Sequence, residues 1–383
     1  MSYKIALISL LIISDLSVGS GNKYPVHNDI YLNKPINWNA IADKSSRALI
    51  YYYWNAQDFY FNTDNRGDTL FQYWPQAHAL DVLVAAYQRT GDDMYAKYIR
   101  AWYQGVKRQT GNAFINNYYD DMEWNALAML RAYKTTNGKK FKTAAESVWK
   151  NIKTGWTNVA GGGMMWKKND LKSKNACSNG PASILAADLY QTNHDAGDLE
   201  WAKKIYNWEK KTLVDPSTGA VRDHISIHGD KISVVKDWNF TYNQGTFIGA
   251  AVKLYQITGD PSYLDDAVKT ANYTINSITI PDTGILKSEG TGDGGLFKGI
   301  FVRYLTKLIL LHNLPDGTRK KYVAFLEHNA KVLWLDGTNR KYMIFGPYWN
   351  KKQSGKVDLT TDLSGAILME STALLSNKGF IKK

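Results

Sequence analysis

A single cysteine, Cys177, stands in 383 residues, so no intrachain disulfide can form. That absence does not place the chain in the cytosol, because exported bacterial proteins often do without disulfides. No apolar run is long enough to span a bilayer, so no integral membrane span is expected. No Pro- or Ser-rich stretch interrupts the chain, so no interdomain linker is expected. The seven histidines lack metal-ligand spacing. His224 and His228 are four apart, but on a strand-like connection, so neither a metal nor another cofactor is expected. The glycine-rich segments 161–163 and 290–295 lack the lysine and helix context of a phosphate loop, and read as tight turns or as backbone passing close to a ligand. The formal charge of +12 is spread over short clusters such as Lys139-Lys140, Lys167-Lys168 and Lys351-Lys352. No basic arm or nucleic-acid motif accompanies them, so nucleic acid is not an expected partner. A solvated basic surface, or mild attraction to a phosphorylated glycan, fits better.

What the chain has in quantity is aromatic surface: 13 Trp and 25 Tyr within an aromatic content of 13%. Such side chains join an apolar face to a polar edge, which suits stacking on sugar rings as well as core packing. At the N-terminus, Lys4 precedes the apolar run from Ile5 to Ile13, and small residues follow through Gly21. This is the shape of a secretory signal over residues 1–21, despite the intruding Asp15, with a single domain over 22–383. A lipoprotein signal would need a cysteine near residue 20, and none is there. The protein is therefore expected to be secreted, in the periplasm or at the outer-membrane surface of a bacterium.

One pattern recurs. A turn rich in Gly, Asp and Asn leads to an anchoring aromatic at Tyr95, Phe141, Trp201, Tyr263 and Tyr322, in steps of 46, 60, 62 and 59. Glycine ends one helix at each turn, and an Asp, Lys or hydroxyl residue starts the next. Apolar runs at 76–89, 121–135, 181–192, 244–258 and 296–311 precede these turns, with a last one at 362–375, and they are apolar nearly all round, as buried helices are. A second set, beginning with 38–58, carries one polar face. Six inner and six outer helices make an all-α fold, an (α/α)6 barrel of six helical hairpins. Short β segments are expected only in the connections at 161–166 and 218–238.

In such a toroid all inner helices run the same way, so their N-termini share one end. The residues at those starts include Trp74, Tyr119, Asp120, Asp121, Asn179, Tyr242, Asn243, Gln244, Asp293 and Asp362. This is the inventory of a carbohydrate site. Ser178, Thr241, Asp293 and Asp362 are also good N-caps, whereas Asn243-Gln244 as a consecutive pair caps less well. The pair Asp120-Asp121 carries the most information. A helix dipole would favour one exposed carboxylate there, but it does not explain two neighbours behind Tyr118-Tyr119 and before Trp124. Like charges this close split their pKa values, leaving one carboxylate charged and one protonated, as glycosidic bond cleavage requires.

These blocks resemble glycoside hydrolase family 76, the endo-α-1,6-mannanases, in a bacterial member of the Bacteroides type. The resemblance runs from about residue 38 to 375. It rests on Gln72-Tyr73-Trp74-Pro75-Gln76-Ala77-His78, Tyr118-Tyr119-Asp120-Asp121, Lys174-Asn175-Ala176-Cys177-Ser178-Asn179-Gly180-Pro181, Thr241-Tyr242-Asn243-Gln244-Gly245 and Gly299-Ile300-Phe301-Val302-Arg303-Tyr304. It implies an (α/α)6 fold, an α-1,6-mannan substrate and a retaining double displacement without metal or cofactor. Asp120 would be the nucleophile and Asp121 the general acid/base. Asn179, Tyr242, Asn243 and Gln244 would bond sugar hydroxyls, with Tyr119 and Asp293 also at the substrate. Trp74, Trp124, Trp166 and Trp349 are the candidate stacking platforms, and Cys177 reads as a buried packing thiol. Three alternatives stay open at this level: a mannan transglycosidase using the same pair, a non-catalytic mannan-binding protein, and a toroidal epimerase. The last would need histidine acid/base pairs at the inner-helix starts.

Overall fold

The computed structural model describes residues 36–229 and 231–382. The secretory-signal reading of residues 1–21 lies outside the described residues. Twelve α-helices are present among them, in alternating layers. The outer helices are α1 (Trp38–Tyr53), α3 (Asp93–Gln109), α5 (Lys139–Ile152), α7 (Ala196–Leu213), α9 (Pro261–Ser277) and α11 (Asp316–Val332). The inner ones are α2 (Tyr73–Thr90), α4 (Tyr119–Thr136), α6 (Gly180–Asn193), α8 (Thr241–Thr258), α10 (Gly294–Ile309) and α12 (Leu359–Asn377). Each inner helix packs on the next, and α12 closes the ring on α2.

Burial separates the layers as the hydrophobic pattern requires. Every residue of α12 from Leu359 to Ala373 is buried, and so is every residue of α6 from Gly180 to Leu189. Outer α5 instead buries one stripe, Phe141, Ala144, Ala145, Val148, Trp149 and Ile152, at helical spacing. Close approach of the inner helices needs glycine at the contacts. A Cβ on Gly245 would sit 2.7 Å from the Cα of Phe301, and one on Gly299 would sit 2.8 Å from the Cα of Ser364.

The turns differ in detail from the expected pattern. Gly91 and Gly259 do end α2 and α8 in the left-handed conformation, but Asn137 and His194 take that role after α4 and α6. Gly197 and Gly317 lie inside the first turns of α7 and α11. Helix α1 stops at Tyr53 and gives way to β1 (Trp54–Asn55), paired with β2 (Tyr60–Phe61). Segment 161–166 is not a strand: Gly161, Gly162 and Gly163 all have positive φ, and the last two press against Trp156 and Trp208. Segment 218–238 does hold a hairpin, β4 (His224–His228) with β5 (Lys231–Val234), and β3 (Lys174–Asn175) pairs on its other side.

The two layers also start differently. Outer α1, α3, α7 and α9 are capped by the side chains of Asn37, Asp92, Asp195 and Asp260. None of the six inner helices has a side-chain hydrogen bond from its N-cap residue. The expected caps Ser178, Thr241, Asp293 and Asp362 therefore do other work. Asp362 accepts from the backbone N–H of Phe345 at 2.9 Å. Gln244, at the equivalent position of α8, holds both the N–H and the C=O of Val221, at 2.8 and 2.7 Å. Gln76 of α2 holds Phe61 in the same way, at 2.9 and 2.8 Å. These buried side chains fasten returning loops to the mouth of the barrel. Gln244→Leu leaves both groups of Val221 unsatisfied and is expected to cost about 2–4 kcal/mol in chemical denaturation.

Candidate active site

The mouth of the barrel, at the inner-helix N-termini, holds an open cleft of about 970 Å³. Asp120 and Asp121 both line it, with Trp74, Tyr118, Trp124, Trp166, Tyr242 and Asp293. The hairpin supplies one wall through Ile225, Ser226 and Ile227.

The two aspartates reach this position because α4 begins at the cleft edge. Tyr118 precedes the helix in extended conformation, and Asp120 and Asp121 fall in its first turn, where the helix dipole favours negative charge. The Tyr119 N–H donates to the Trp166 carbonyl at 2.9 Å, which ties the next connection to the helix start. Trp166 Nε1 in turn donates to Asp120 Oδ2 at 3.1 Å. The other oxygen of Asp120, Oδ1, is buried with no hydrogen-bond partner among the described residues. Asp121 Oδ2 accepts from Asn116 Nδ2 at 2.6 Å, while Asn116 Oδ1 accepts from the Tyr118 N–H.

Burial drives both carboxyl pKa values up. Asp120 is pushed up to about 7, against the opposing hydrogen bonds from Cys177 and Trp166. Asp121 rises well above the carboxylate range, first through burial, then through the charge of Asp120, and further through Asp293. The pair therefore holds a proton at neutral pH, with Asp121 the better-protonated member. Removing the indole donor with Trp166→Phe is expected to raise Asp120 further. If Asp120 reacts as the carboxylate, the acid limb of kcat/KM should move to higher pH, and activity at pH 6 should fall more than at pH 8.

The aromatic walls are braced from several helices. Trp74 Nε1 donates to Asp293 Oδ1 at 2.9 Å, joining α2 to the start of α10. Tyr242 stacks on Phe297, with ring centroids 3.9 Å apart. Its hydroxyl reaches Asp223 Oδ1 at 3.3 Å, and Asp223 Oδ2 meets His224 Nδ1 at 2.9 Å. Trp238, 52% exposed, stands edge-on to His224.

Five expected sugar-binding side chains are not in the cleft lining. Tyr119 is buried against Gly155, with its hydroxyl on Thr154. Asn179 is fully buried and clamps the backbone of Met164, accepting from its N–H at 2.9 Å. Gln244 clamps Val221, and Asn243 Nδ2 donates to Asp223 Oδ1 at 2.8 Å. Trp349 is 1% exposed and carries the Lys298 ammonium over its ring at 4.4 Å. Buried amides at a helix start are committed to loop backbone before any ligand arrives, which sequence spacing does not reveal. Conversely, sequence reasoning missed Asn116, Asp223, His224, Trp238 and Phe297, and took Cys177 for packing alone. Cys177 lines the cleft beside Asp120, whose pKa it draws down. Of these, only Asn116-Asn117 ahead of Tyr118 carried a local signal, that of an Asx turn. Among the described residues no group of three or more His, Cys, Asp or Glu is arranged to hold a metal ion. No helix among them is long and apolar enough to cross a membrane.

The sequence model of glycosyl hydrolase family 76 matches residues 37–383. The chain belongs to that family. This family 76 member is a glycoside hydrolase, and its barrel is the family's. The α-1,6-mannanase GH76A from a Salegentibacter species is 47% identical, with a TM-score of 0.86 over 88% of this chain and 100% of that one. A variant of that mannanase with two consecutive aspartates replaced by alanine is described as inactive, and was solved in complex with α-1,6-mannotetrose. The mannan endo-1,6-alpha-mannosidase DCW1 of Candida glabrata is 24% identical over 75% of this chain and 69% of its own length. Its Saccharomyces cerevisiae namesake is 26% identical over 73% of this chain, which spans 62% of the yeast protein.

Proposed function

We propose that this family 76 hydrolase cuts α-1,6-linked mannan internally, with retention of anomeric configuration. The observation that carries the reading is the pair Asp120-Asp121 on the floor of an open, aromatic-walled cleft. The Salegentibacter relative, inactive when two adjacent aspartates are lost and able to hold α-1,6-mannotetrose, supports both the pair and the substrate.

The Asp120 carboxylate, in the cleft lining, attacks the anomeric carbon of the mannosyl unit at the cleft floor. Asp121, protonated at neutral pH, gives its proton to the departing glycosidic oxygen. A covalent mannosyl-enzyme results. Asp121, now the base, deprotonates a water that attacks the same carbon and frees Asp120. Trp74, Trp124 and Trp166 offer faces to sugar rings, while Tyr242 and Asp293 offer polar atoms to hydroxyls. The apolar segment 5–13 supports export, and N-terminal sequencing of the protein recovered from the culture medium or periplasm tests it.

Product analysis on linear α-1,6-mannan is the test of the main reading. A ladder of manno-oligosaccharides early in the reaction is expected, with the α-anomer appearing first by NMR. Release of mannose alone, or the β-anomer first, overturns endo action or retention respectively. Added mannose acceptors would yield lengthened products if transfer competes with hydrolysis.

A further inference from the structure

Below the cleft, the barrel axis carries charge rather than apolar packing. His78 lies directly under it, its ring beside Trp74 and Trp124 at 5.5 and 5.1 Å, and its Nδ1 bonded to Arg303. Next come Asp81, Arg131 and Arg303, with both guanidinium groups on Asp81 Oδ2 at 2.7 and 3.0 Å. Farther toward the inner-helix C-termini, Lys134 and Lys253 share Asp188 Oδ1 at 2.8 and 2.7 Å. Lys307 joins this layer from α10 and, among the described residues, forms no ion pair. Five cations thus face two carboxylates, a surplus of three positive charges contributed by α4, α8 and α10.

The cations are not sealed in. The side chains of Lys134, Lys253 and Arg131 are 39, 25 and 21% exposed, and Lys307 is exposed as well. Yet burial, followed by repulsion from Arg131 and Lys253, pushes Lys307 down to about 8. Lys307 thus meets water beside the like charges of Arg131 and Lys253. Helix C-terminal dipoles favour cations at this end, but their field fades within the last turn. Arg131 and Lys253 lie five residues, and Arg303 six, before their helices end.

We propose that this cluster of cations is an anion site that takes a phosphate group, free or as the monoester of a sugar, at the end of the barrel opposite the active site. A dianion offsets most of the surplus charge; Lys134 keeps two donors to spare for tetrahedral oxygens, and Lys253, which also donates to Gln191 Oε1 at 3.0 Å, keeps one. The Lys134, Lys253 and Lys307 ammonium groups are the contacts.

The test is calorimetric titration of the intact enzyme with sodium phosphate and, separately, with a hexose 6-phosphate, against sodium chloride at equal ionic strength. Saturable binding of either is expected, and which one binds tighter identifies the source. Lys307→Met should weaken it at least tenfold without changing mannan cleavage. Lys134→Gln, which leaves Lys253 on Asp188, should weaken it as well. No saturable binding above the chloride control, or equal affinity in both variants, overturns the proposal.

Discussion

Asparagine in place of Asp120 is expected to lower kcat on α-1,6-mannan by roughly four orders of magnitude, with the fold intact. The amide has no anionic oxygen to bond the anomeric carbon, so the first displacement is lost rather than slowed. The substitution should not harm stability. Asp120 is buried and held near a pKa of 7, so charge there is costly in the folded state. A group whose folded pKa lies above its unfolded value loses stability as pH climbs from the unfolded value toward the folded one. Asp120→Asn should therefore melt at or above the parent temperature at pH 8. A variant that kept a tenth of parental turnover would remove Asp120 from the nucleophile's role.

Asp121→Ala is expected to produce a different signature. Cleavage of mannan, whose leaving group is a poor one, should fall about 10²- to 10⁴-fold. An aryl α-1,6-mannobioside has a leaving group that departs without a proton, so its first step should be nearly spared. The mannosyl-enzyme then accumulates, because no base activates water. Added azide, which needs no base, should restore turnover and yield the α-glycosyl azide. If azide did nothing, or if both substrates suffered equally, Asp121 would not be the acid/base. The pH profile gives a cross-check. Parental kcat/KM should rise as the pair loses its first proton near pH 7 and fall again as it loses the second.

The barrel was largely legible in the chain because its signal is local. A helix apolar on every face, such as 180–189, must be surrounded by protein, and one with a single stripe, such as α5, must lie outside it. Helix starts followed from the same pattern, and with them the end of the barrel where Asp120 and Asp121 appear. The neighbouring carboxylates were readable because adjacency in sequence guarantees adjacency in space.

The rest of the site depends on contacts that sequence distance hides. The Trp166 indole bonds an aspartate 46 residues away, and Trp74 bonds Asp293 across 219 residues. Asn179, Asn243 and Gln244 have the right chemistry for sugar hydroxyls, yet loop backbone and Asp223 already hold them.

Residue order alone determined the alternation of buried and half-buried helices and the placing of two acids at one helix start, because periodicity and adjacency act within a few residues. Tertiary structure alone decided how far each acid is desolvated, which polar side chains face the cleft, and where the cations gather below it. Those outcomes turn on desolvation and on long-range hydrogen bonds, and both exist only once the ring has closed.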